Sequence, residues 1–187
     1  MQLDTVTIVS ILALLLVAAI ILWFLYHLRR TTALRDRFGK EEYQRTLETH
    51  GARRKAEASL LAREKRVAGL DLRPLDPEER QRFGREWTQV RSSFLDDPEN
   101  AVTRASALLD AMLAARGYLG DGFDARYEAL TVDHGDSARH YLAGHEIAQR
   151  QARGQASTEE MRQALIHYEA LFERLAREPA PAEVEAA

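Results

Sequence analysis

The sequence predicts an all-α protein: a single N-terminal transmembrane helix, a basic helical stalk and a small helical bundle of four main helices. Three observations predict it. One uncharged apolar run opens the chain, the segments that follow repeat apolar residues at the helical period, and no stretch alternates apolar and polar residues as a half-buried strand does.

The opening run, Val6 to Leu28 (VTIVSILALLLVAAIILWFLYHL), holds no Asp, Glu, Lys or Arg, and its 23 residues exceed the roughly 20 that a helix needs to cross a hydrocarbon core. Trp23 and Tyr26 stand where aromatic rings favour the headgroup region. A cleaved leader would need a basic start and a small-residue cleavage site; this chain starts Met1-Gln2-Leu3-Asp4 and carries Arg29-Arg30 after the run. Basic residues follow the run and none precedes it, which predicts an outside N-terminus, a cytoplasmic C-terminal domain, and lipid headgroup contact by Arg29, Arg30, Arg35, Arg37 and Lys40.

Charge divides the remainder. Residues 29 to 66 hold 12 basic and 6 acidic side chains, while residues 67 to 187 hold 14 basic and 22 acidic, so a stalk of net +6 joins a body of net −8. There is no cysteine, which excludes disulfides, thiolate nucleophiles and Cys-ligated metal centres.

The stalk covers residues 29–69. Phe38-Gly39 is its first break, because glycine costs about 1 kcal/mol against alanine inside a helix. Lys40 to Val67 then favours one helix, rich in Glu, Arg, Ala and Leu, with apolar positions too sparse for a heptad seam. Its cations interleave with Glu57 and Glu64 and sit in no recognised nucleic-acid motif, so a nucleic-acid partner is not expected. Leu70 to Leu75, with Pro74, forms a connector.

The body, residues 76–177, is written in caps. Asp76-Pro77-Glu78-Glu79 starts a helix that runs to about Leu95, with Phe83, Trp87, Val90 and Phe94 on one face and Trp87 read as core. Asp97-Pro98-Glu99 starts the next, which buries Val102, Ala105, Leu108, Leu109, Met112 and Leu113 and ends at Gly117. Tyr118 to Gly122 is a loop whose glycines have turn roles, since no Gly-Lys-Ser/Thr follows. A short helix from Phe123 to Leu130 precedes a longer one from about Ser137 to Gln151, closed by Gly154. Ser157-Thr158-Glu159-Glu160 caps the last helix, whose stripe is Met161, Leu165, Tyr168, Phe172 and Leu175. Residues 178–187, rich in Pro, Ala and Glu, read as a disordered tail.

Candidate chemistry is sparse. His134, His140 and His145, with Glu146 and Asp121, are the residues from which a ligand-binding or enzymatic site would be built. His140 and His145 are five residues apart, whereas two metal ligands on one helix face stand four apart, and Gln149 occupies the position a second ligand would need after His145. No metal or cofactor is expected.

The segments RTLETHGARRKAEASLLAREKRVAGLDLRPL, FLDDPENAVTRASALLDAMLAARGY and GQASTEEMRQALIHYEALFERL, in that order over about residues 40–177, resemble a widespread group of uncharacterised bacterial single-span membrane proteins with a helical soluble domain. The resemblance implies a bacterial inner-membrane setting and carries no catalytic motif. The function expected is a non-enzymatic interaction or scaffolding module whose partners are membrane lipids and another protein.

Overall fold

The computed structural model describes the backbone of residues 5–177 and the side-chain surroundings of residues 14–22 and 33–177. Every regular element among them is a helix: α1 Thr5–His50, α2 Arg53–Val67, α3 Pro77–Ser93, α4 Pro98–Ala115, α5 Phe123–Asp133, α6 Gly135–Gln151 and α7 Thr158–Arg177. The chain divides into two compact units, Met1–Leu60 and Leu61–Ala187.

In the first unit α1 is interrupted at Gly39, whose φ of 79° and ψ of 159° are open to glycine and strained for other residues, as the sequence predicts. The helix predicted from Lys40 to Val67 is divided in two. Gly51, at φ 64°, ends α1 and turns the chain into α2, so the polar middle around His50 is a bend. Across that bend the Tyr43 hydroxyl donates to Glu57 at 3.1 Å, and Arg53 donates to the same carboxylate at 2.9 Å.

The transmembrane span predicted at Val6 to Leu28 requires correction. Among the described residues no helix is long and apolar enough to cross a membrane. From residue 33 onward the helix carries Arg35, Asp36, Arg37, Lys40 and Glu41, which a hydrocarbon core excludes. With the span go the single-pass assignment, the outside N-terminus and the inner-membrane localisation. The assignments made to the side chains of Trp23, Tyr26, Arg29 and Arg30, and to the tail 178–187, lie outside the described residues.

The second unit is the predicted bundle, with α3, α4, α6 and α7 as main helices and α5 packed beside α6. Its caps form as written. Asp76 accepts from the Glu79 amide at 2.7 Å while the Glu79 side chain accepts from the Asp76 amide, Asp97 accepts from the Asn100 amide at 3.1 Å, and Ser157 and Glu160 repeat the reciprocal box before α7. The core is continuous: Ala101, Val102, Leu109, Met112 and Leu113 of α4 and Ala164, Tyr168 and Leu171 of α7 are fully buried. Trp87 stacks on Phe172 with ring centroids 4.9 Å apart, joining α3 to α7.

Two close approaches fix how the helices fit. A Cβ on Gly144 would stand 2.5 Å from the Tyr168 ring, so the absent side chain lets α6 and α7 meet. Gly117, at φ 91°, ends α4 where the Asp71 carbonyl leaves no room for a Cβ. The neighbouring Arg116 is 2% exposed and donates to the Arg73 carbonyl at 3.4 Å and the Leu175 carbonyl at 3.2 Å. A buried cation satisfied by carbonyls thus ties the connector and the end of α7 to α4.

Candidate functional site

The three histidines of interest face different neighbours. Five residues on a helix correspond to about 140° of rotation, so His140 and His145 leave α6 on different sides. His134 lies at the junction of α5 and α6 with its ring edge-on to Tyr118, centroids 6.3 Å apart. His145 lies flat on Phe123 of α5, centroids 3.6 Å apart and planes 4° from parallel, and its Nε2 is 2.9 Å from the Gln149 amide. Burial holds its pKa below the ordinary histidine value. Glu146 and Asp121 are exposed, and among the described residues no group of three or more His, Asp or Glu is arranged to hold a metal ion.

His140 instead meets His167 of α7, a residue that sequence reasoning passed over. Their Nδ1 atoms are 3.0 Å apart and their ring centroids 5.3 Å apart, which sets the nitrogens head to head on the line between the rings. That geometry suits one proton shared along the line; a metal ion would need both lone pairs to converge on a third point. Burial, and then the neighbouring His140, lower the His167 pKa. His140 and His167 stand at nearly equal distances on either side of the Gly154 turn, and the antiparallel hairpin of α6 and α7, once folded, sets them opposite each other.

A polar network joins three helices nearby. The buried Tyr141 hydroxyl of α6 donates to Asp110 of α4, and Arg126 of α5 pairs with the same carboxylate at 3.0 Å while donating to the Gly120 carbonyl at 3.1 Å. Burial and the Asp110 carboxylate raise the Tyr141 pKa, and burial pushes Tyr168 up to about 12. Both phenols are held protonated at neutral pH, the reverse of what an activated tyrosine nucleophile or base needs. The network serves as a pin.

A groove of about 650 Å³ lies between the C-terminal end of α2 and the N-terminal half of α5. Val67, Leu70, Leu119, Ala125 and Ala129 supply its apolar lining. Along one side Arg63 and Arg66 converge on Glu128, at 3.2 Å for Arg63, so two cations share one carboxylate. At the other, Asp121 and Asp124 are exposed, and no ion pair among the described residues engages either carboxylate. Leu119 between them is 68% exposed. The loop was read from sequence as turn chemistry alone, and the apolar Leu119 at its crest was the overlooked sign.

Arg35, Arg37 and Lys40, assigned to lipid headgroups from sequence, are exposed on α1. Compared with known proteins, the chain matches no family model, no curated protein and no solved structure.

Proposed function

We propose that the chain is a non-enzymatic helical interaction module, binding a protein partner through its second unit. The observation that carries this reading is the groove between α2 and α5: apolar within, charged at its rim, and crowned by an exposed leucine. The alternative, a ligand-binding or enzymatic site near His134, His140 and His145, finds less support, because these rings meet Tyr118, His167 and Phe123 respectively and not one another. A further support is α1, where Leu14, Leu15, Leu16, Val17, Ile20, Ile21 and Leu22 are each 51–72% exposed. An apolar run of that kind marks a surface covered by another molecule in a larger assembly.

The test is site-specific photo-crosslinking in living cells, with the photoreactive group at Leu119 or at the equally open Leu95, which is 90% exposed and stands at the end of α3. A discrete adduct from position 119 that is missing from position 95 supports the module. Identical adducts from both positions, or none from 119, would count against it.

A further inference from the structure

We propose that the α2/α5 groove receives one amphipathic helix of a partner protein, seated by an apolar stripe and oriented by basic side chains that pair with Asp121 and Asp124. The proposal rests on the interaction reading above and names the chemistry of the partner.

Shape argues for a helix. The groove lies between two helical segments, and Ala125 and Ala129 stand one turn apart on α5, so their small side chains let a third backbone approach closely. Leu119 lines the same groove and is exposed to solvent. A partner helix with apolar residues at the i, i+3, i+4 and i+7 positions would remove it from solvent.

Charge argues for a basic flank. Of the ionised groups at the rim, Arg63 and Arg66 share the Glu128 carboxylate, whereas no ion pair among the described residues engages Asp121 or Asp124, which leaves the rim with three carboxylates against two guanidinium groups. An acidic partner would find Arg63 and Arg66 already shared with Glu128 and would be repelled by Asp121 and Asp124. A basic one meets two open carboxylates directly, and it is drawn in by the acidic balance of residues 67 to 187, 22 carboxylates against 14 cations. Asp121, in the bend before α5, and Asp124, in the first turn of α5, both line the groove, so basic side chains on the incoming helix can reach them.

The experiment measures fluorescence anisotropy of labelled synthetic helices of about five turns with the full chain. The three probes share one Leu/Ala apolar stripe and differ in carrying Arg, Gln or Glu on the flank. The Arg peptide should bind most tightly. Asp121→Asn with Asp124→Asn should weaken it about tenfold, the effect of losing two exposed ion pairs, and leave the Gln peptide unchanged. Leu119→Ser, a substitution at an exposed position, should weaken Arg and Gln peptides alike. Neutralising Asp96 and Glu146, which are exposed elsewhere on the same unit, should change nothing. If Gln and Arg peptides bind equally and both respond to Leu119→Ser, the basic-partner inference is overturned and the interaction module stands. If the Glu peptide binds best, or if the Asp96 and Glu146 substitutions act as strongly as those at Asp121 and Asp124, the inference is overturned as well. If no peptide responds to Leu119→Ser, the groove is not the docking surface and both readings fall.

Discussion

His167 shows how a single ring can report on the seam between two helices. It binds its proton less readily in the folded chain than in the unfolded one, because of burial and then of His140. Its contribution to stability is therefore full above the ordinary histidine value near 6.5 and is lost as pH falls through the lower folded value. Chemical denaturation between pH 7.5 and 5 should show a falling midpoint, and His167→Gln should flatten that fall; an unchanged slope in the variant would remove the linkage. Glu79, Glu159 and Glu160, each held down to about 2, act in a separate window, stabilising above the ordinary glutamate range and losing that effect as pH drops toward 2. Trp87 is the other informative residue. At 4% exposure and stacked on Phe172, its replacement by Ala should cost about 3 to 5 kcal/mol in equilibrium unfolding, whereas a loss below about 1 kcal/mol would mean that the site relaxes around the cavity. Its core placement was legible from the spacing of Phe83, Trp87 and Val90 on one face. The His140–His167 pairing was not, because helical period describes one helix at a time and a hairpin must be folded to set two residues opposite.

Helix boundaries were the most readable feature of the chain, for a local reason. Asp76-Pro77, Asp97-Pro98 and Ser157 through Glu160 each satisfy amides within three residues, so the signal and its effect lie in the same stretch. Asp76→Ala should accordingly destabilise the bundle by about 1 kcal/mol, measured as a shift in the urea midpoint. The bend at Gly51 was missed because composition on both sides favours helix and one glycine decides the outcome. The fit of α6 on α7 was hidden as well, since nothing local distinguishes a glycine of close packing from one of tolerance. Gly144→Ala should drive its methyl into the Tyr168 ring and cost about 1 to 3 kcal/mol despite alanine's better helix propensity. A stabilised variant would show that the ring has room to move.

Across the whole molecule, the all-helical bundle followed from period and caps, while the membrane span did not follow from an apolar run alone. Among the described residues no helix is long and apolar enough to cross a membrane, and α1 runs on into charged sequence at Arg35, Asp36 and Arg37. The candidate groove was illegible because it belongs to no single motif: Val67 ends α2, Leu70 follows it in the connector, Leu119 comes from a loop and Ala125 from α5, and only folding gathers them. This groove is the surface on which we propose that a partner helix docks. Hydrogen exchange on the full chain, with and without the Arg-flanked peptide, tests it most directly. The account predicts slowed exchange over residues 63–70 and 119–129, with residues 134–145 unchanged; protection around the histidines, or none at the groove, would contradict it.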